Sequence, residues 1–165
     1  MPSAKATSLD WHQRVELNDR VTIALTPAKH WTARGLYDRN KALWGSFVIE
    51  TPAGKIFHVT DTGYDGTLFK EMRERYGPFR LALIPIGAYE PRWFMQRQHV
   101  NPEEAVRLFQ DCGAERALAQ HFGVFQLTDE AIDTPVVALR AACDAAGIRH
   151  ERFIVPEPGS VVELD

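Results

Sequence analysis

Three short donors stand where strands should end: His30, Asp61 and His121. His30 follows an apolar run and Pro27. Asp61 closes the run Ile56–Thr60 and opens Asp61-Thr62-Gly63-Tyr64. His121 closes Arg116–Gln120 and precedes Phe122-Gly123. Rigid strands can aim such side chains at one point, and imidazole with carboxylate is the usual donor set for zinc in hydrolytic sites. Taken singly, each has a plainer reading. A loop His is usually hydrogen-bonded or solvated, and an Asp opening a turn usually caps it. The spacing matches no compact metal motif such as H-E-x-x-H.

The elements that would position them follow from periodicity. Trp11–Leu17 and Arg20–Leu25 read as strands around an Asn18-Asp19 turn. Leu43–Glu50 and Lys55–Thr60 read as a hairpin through Thr51-Pro52-Ala53-Gly54, where Pro fixes φ and Gly accepts a positive one. Asp65–Tyr76 carries apolar residues at 68, 69, 72 and 76, a helical stripe stopped by Gly77-Pro78. Leu81–Ile86 reads as a buried strand. Asn101-Pro102-Glu103-Glu104 opens a helix with a cap, a tolerated Pro and two dipole-complementing acids. Its buried face is Ala105, Leu108, Phe109 and Cys112. Arg116–Gln120 reads as a strand, and Thr134-Pro135 starts a helix burying Ala138, Leu139, Ala142, Cys143 and Ala146. Phe153–Val155 and Val161–Leu164 read as closing edge strands. Strands first, then alternating helix and strand, give an α/β chain whose helices cover a sheet.

Composition limits the partners. The 165 residues suit one domain with a sizeable core. Nineteen basic against 22 acidic side chains leave −3, which argues against general nucleic-acid binding. No apolar run approaches the roughly 20 residues that span a bilayer. Residues 1–8 read as a disordered polar tail without a signal segment, so the expectation is a cytoplasmic protein. Cys112 and Cys143 lack CxxC partners and read as reduced, buried thiols.

Longer strings carry more. TPAKHW at 26–31, NKALWGSFVIE at 40–50, TDTGY at 60–64, YGPFRLALIPIGAYEPRWFMQRQHVNPEEAV at 76–106 and QHFGVFQL at 120–127 resemble the metallo-β-lactamase-fold phosphodiesterases of the N-acyl-phosphatidylethanolamine-hydrolysing phospholipase D type. The resemblance runs from about Leu9 to about Ala146, and IGAYEPRWFM is its most specific piece. It implies an αββα sandwich, of which this chain matches mostly the C-terminal half. It implies two zinc ions in the intact fold, with His30 on the first, Asp61 bridging both and His121 on the second. It implies a hydrolase in which metal-activated hydroxide attacks a phosphodiester phosphorus, with N-acyl-phosphatidylethanolamine-type phospholipids as a candidate substrate. Asp61 and His99 are then catalytic, His99 donating a proton or hydrogen bond to the phosphate, and Gln98, Tyr64 and Tyr89 line the substrate cleft. Trp31, Trp93, Phe94 and Met95 suit an acyl pocket or a lipid surface, and Arg92 and Arg97 suit lipid headgroups, which allows peripheral membrane contact.

The chain departs from that pattern at one place. Its histidines, at 12, 30, 58, 99, 121 and 150, contain no H-x-H-x-D-H cluster. Residues 9–165 therefore read as a partial domain lacking the N-terminal half of the site, able to hold at most one zinc. The alternative is a non-catalytic half-domain that needs a partner chain, a missing half or a second copy, to fold or to bind metal.

Overall fold

Alternating apolar residues build the first half of the molecule. In the computed structural model, which describes residues 6–164, Ala6–Ser8 are exposed and irregular; residues 1–5 of the expected tail lie outside the described residues. Strands β1 (Arg14–Asn18), β2 (Val21–Thr26), β3 (Ser46–Thr51) and β4 (Gly54–His58) form an antiparallel meander. Gly54 closes the β3–β4 turn at φ 124°, a value side chains resist. Strands β5 (Leu81–Pro85), β6 (Arg116–Gln120) and β7 (Phe153–Ile154) continue in parallel, so the seven strands lie in chain order across one mixed sheet.

Helix α1 (Gly66–Tyr76) connects β4 to β5. The short α2 (Arg92–Met95) and α3 (Pro102–Cys112) connect β5 to β6, and α4 (Thr134–Ala145) connects β6 to β7. The three crossovers advance the same way across the sheet, and the right-handed sense that such connections favour would put their helices on one face. Helix α3 packs between α1 and α4. Its start is a full capping box: the Asn101 side chain accepts from Glu104 N–H, and the Glu104 carboxylate accepts from Asn101 N–H.

The register divides the sheet into rows. Ala24, Val48, Phe57, Ala82, Ala117 and Phe153 are cross-strand neighbours, and all are buried under the helices. Cross-strand rows on the opposite face include Ile23, Ile49 and Ile56, and Leu25, Phe47, His58, Leu83, Leu118 and Ile154; all of these stay only partly buried. No element among the described residues covers that face.

Four local expectations change. Val161–Leu164 forms no strand: Pro156, Pro158 and Gly159 precede it, and the segment is held instead by the Arg80 guanidinium donating to the Leu164 carbonyl at 2.5 Å. Leu43 and Trp44 sit before β3, with the Trp44 indole donating to the Ala28 carbonyl at 2.8 Å. Ala146, expected to face inward, is exposed at the frayed end of α4. Helix α2 was not expected, because four residues carry no readable periodicity. Both cysteines are buried and free, and burial pushes the Cys112 thiol up to about 12.

Candidate metal centre

Antiparallel pairing of β2 with β3 and of β3 with β4 makes β2 run in the direction of β4, β5 and β6. Their C-terminal ends therefore share one edge of the sheet, where side chains on loops can converge. The loops at 27–45, 59–65, 86–101 and 121–133 leave that edge. They are stitched together by backbone and side-chain bonds. Lys29 N–H donates to Thr62 Oγ1 at 2.9 Å, Gly63 N–H to the Lys29 carbonyl at 2.9 Å, and Val100 N–H to the Thr62 carbonyl at 2.9 Å. Two glycines permit this closeness. A Cβ on Gly63 would meet the Arg97 carbonyl oxygen at 2.5 Å, and one on Gly87 would collide with the carbonyl oxygen of His121.

Within this weave His30, Asp61 and His99 each offer a donor atom, and the three atoms lie within 4.8 Å of one another. His121 joins from the fourth loop, its Nε2 3.2 Å from Asp61 Oδ1. The expected trio was His30, Asp61 and His121, with His99 set apart for the substrate; the structure gathers all four. The Asp61–His121 pair is open to water, with side chains 41% and 30% exposed.

The donor chemistry fits a cation. His30 Nδ1 lies 2.9 Å from the Trp31 carbonyl, which can only accept, so in the neutral tautomer Nδ1 carries the hydrogen and Nε2 the lone pair. That Nε2 is buried without a hydrogen-bond partner. A buried unpartnered polar atom is costly in a protein, and a lone pair beside a carboxylate and a second imidazole is what a divalent ion would satisfy. The His121 hydrogen bond holds the Asp61 carboxyl below its usual range, and Asp61 in turn raises His121. Burial is the main cause that lowers His99 to about 4, so its imidazole is neutral and its lone pair free at ordinary pH.

The shift gives His99 a testable signature. A histidine lowered by folding is protonated first in the unfolded chain, so its contribution is fully present above 6.5 and is lost as pH falls toward about 4. His121 has the opposite sign: its contribution is present below 6.5 and is lost as pH rises through its raised value. Metal-free protein is therefore expected to lose stability against its His99→Gln variant as pH falls from 6.5 to 4, followed by urea denaturation. A constant difference across that range would refute this account of His99.

The other expected groups are placed as follows. The Trp31 indole donates to Gln98 Oε1 at 2.7 Å, fixing that amide beside His99. The Tyr64 hydroxyl donates to Asp111 Oδ2 at 2.6 Å on α3, and burial with that carboxylate pushes it up to about 12. Tyr89 is buried, and its hydroxyl is likewise raised. Trp93 and Phe94 are exposed while Met95 is buried. His12 meets the Tyr76 hydroxyl at 3.0 Å.

Two groups play a supporting part that the sequence reading did not give them: Arg92, expected at lipid headgroups, and Glu130, not singled out. Arg92 donates to the His99 carbonyl at 3.0 Å and to Glu104 Oε2 at 2.7 Å, so it ties the His99 loop to the cap of α3. The Glu130 carboxylate accepts from Tyr89 N–H at 3.1 Å and Glu90 N–H at 3.0 Å, which fastens the 121–133 loop to the 86–91 loop. An arginine and a glutamate in polar segments carry no pattern that announces such partners.

Comparison with known proteins gives the family. The family described as Beta-lactamase superfamily domain matches residues 2–122. The chain belongs to the beta-lactamase superfamily. It is 36% identical over 162 residues to the N-acyl-phosphatidylethanolamine-hydrolyzing phospholipase D, mitochondrial, of Saccharomyces cerevisiae, covering 95% of this chain and 34% of that one. It is 35% identical over 166 residues to N-acyl-phosphatidylethanolamine-hydrolyzing phospholipase D 1 of Caenorhabditis elegans, covering 98% of this chain and 47% of that one. The chain thus spans between a third and a half of these superfamily relatives. Igni18, a metallo hydrolase from Ignicoccus hospitalis, superposes with a TM-score of 0.67 at 23% identity, covering 94% of this chain and 59% of that one. The architecture is the metallo-β-lactamase fold, in the α/β class. No helix among the described residues is long and apolar enough to cross a membrane.

Proposed function

We propose that the chain contributes to a zinc-dependent hydrolase of phosphodiesters, with N-acyl-phosphatidylethanolamine-type phospholipids as the candidate substrate class. The observation that carries this reading is the convergence of His30, Asp61 and His99, with His30 Nε2 buried and unpartnered. These three residues would hold one ion, and His121 would join them on releasing Asp61. When bound, zinc supplies Lewis acidity to a phosphoryl oxygen and to the attacking water.

The chain's own residues do the rest. The Trp31 carbonyl orients His30. His121 holds one Asp61 oxygen and leaves the other free to act as donor. Because His99 stays neutral down to about 4, it serves better as ligand or hydrogen-bond acceptor than as the proton donor expected from the resemblance. The substrate class is carried over from the two named phospholipase D relatives, and the cleft residue best placed for it is Gln98, fixed at 2.7 Å by Trp31.

The test is metal content and hydrolysis of bis(p-nitrophenyl) phosphate and of N-acyl-phosphatidylethanolamine in mixed micelles. The expected result is one zinc per chain and turnover lost on chelation. Absence of both zinc and turnover would overturn it. A second reading rests on the sheet face carrying Ile23, Leu25, Phe47, Ile49 and Ile56 outside any covering layer. There the chain is a half-domain completed by a partner, and metal and turnover appear only when that partner is supplied.

A further inference from the structure

Trp31 meets the centre from two directions. Its indole ring lies parallel to the His30 imidazole, with centroids 5.9 Å apart and planes 3° apart. Its indole N–H donates to Gln98 Oε1 at 2.7 Å. His30 and Gln98 belong to different loops, at 27–45 and 86–101. One side chain therefore ties a metal donor to the segment that carries His99.

The ring is itself held in place. Arg39 Cζ lies 4.8 Å from its centroid, a cation over an aromatic face. The chain between the two is closed at its neck, where Asn40 N–H donates to the Thr32 carbonyl at 2.7 Å and Thr32 N–H to Asn40 Oδ1 at 3.2 Å. On the other side, Gln98 N–H and His99 N–H both donate to the Met95 carbonyl, at 3.0 and 2.9 Å, so the backbone there is fixed at the end of α2. The side-chain amide of Gln98 still has a choice of orientation, and the indole makes it. An indole nitrogen can only donate, so it takes the amide oxygen. The NH2 group is then the free end of the amide, a donor suited to an anionic oxygen.

We propose that Trp31 is a positioning residue of the candidate centre: its ring steadies the His30 imidazole, and its N–H sets the polarity of Gln98, so that the amide meets a phosphoryl oxygen with its NH2 group. The proposal rests on the phosphodiester reading above for the identity of the anion. The ring and the indole–amide bond stand on the geometry itself.

The test uses the full chain, with and without zinc. Zinc affinity is read by competition with a chromophoric chelator, and dimethyl phosphate is titrated while the Gln98 side-chain amide shift is followed. Trp31→Phe keeps a stacking ring and loses the N–H. It is expected to bind zinc within about twofold of the parent and dimethyl phosphate at least about fivefold more weakly, the worth of one hydrogen bond. Trp31→Leu loses the ring as well, and zinc affinity should fall by about tenfold, as for loss of a group that orients a ligand. In a Gln98→Leu background, Trp31→Phe should cost no further dimethyl phosphate affinity. A residue that merely propped the loop would cost the same in both backgrounds. Unchanged dimethyl phosphate binding in Trp31→Phe, an equal loss in both backgrounds, or unchanged zinc affinity in Trp31→Leu would overturn the proposal. A parent chain that takes up no zinc overturns the cluster reading and, with it, the ring's part. The zinc-free titration then decides the amide's part: a Gln98 shift that disappears in Trp31→Phe supports it, and an unmoved or unaffected Gln98 overturns it.

Discussion

Asp61→Ala is expected to weaken zinc binding by at least about 100-fold, measured by competition with a chromophoric chelator. Losing a group that merely orients a ligand costs about 10–100-fold, so losing the one carboxylate of the donor set should cost at least the upper end of that range. The variant also removes the partner that raises His121 and holds it 3.2 Å away. His121 should therefore titrate lower in the variant, visible in the imidazole proton shifts. Asp65→Ala is the matched control. Asp65 lies four residues on and caps α1 through Thr67 and Leu68 N–H, so its loss should cost about 1 kcal/mol of stability and leave zinc affinity alone. Equal zinc affinity in Asp61→Ala and the parent chain would remove Asp61 from the centre.

Phe57→Ala is expected to cost about 3–5 kcal/mol in urea denaturation, a large part of the roughly 5–15 kcal/mol that holds such a domain together. Phe57, the penultimate residue of β4, is fully buried and stacks on Phe79 with ring centroids 5.0 Å apart. Its cross-strand neighbours, Val48 and Ala82, are fully buried too, so the vacated space cannot be filled from the sheet. Phe57→Leu should cost far less, since most of the volume returns. A loss below about 1 kcal/mol in the alanine variant would mean that the layer between sheet and helices collapses freely.

Local chemistry made much of the scaffold readable. The Asn101-Pro102-Glu103-Glu104 start of α3 announces itself because cap, proline and acids act within one turn. The β3–β4 hairpin does so because Pro52 and Gly54 have few other uses together. Val161–Leu164 looked like a strand for its β-branched residues, yet β6 and β7 pair over only two positions and offer it no ladder. Strand propensity is a preference for a half-buried surface, and here the surface was missing.

The centre was legible only in pieces. His30, Asp61, His99 and His121 each stood out, but their meeting depends on four loops leaving the same sheet edge, which no spacing in the chain encodes. The grouping of His99 with His30 and Asp61 comes from Val100 docking on Thr62 and from Arg92 holding the His99 carbonyl. Those are long-range bonds between segments with no hydrophobic period to betray them.

The four donors hang from loop edges, while the packed layer between sheet and helices lies below and contains none of them. The candidate donors and the packed core are thus separately built in this molecule. Exchanging an imidazole for a thiolate or a second carboxylate would change the donor set and leave the aromatic contacts beneath in place, so the same frame is open to new chemistries by small steps at its rim.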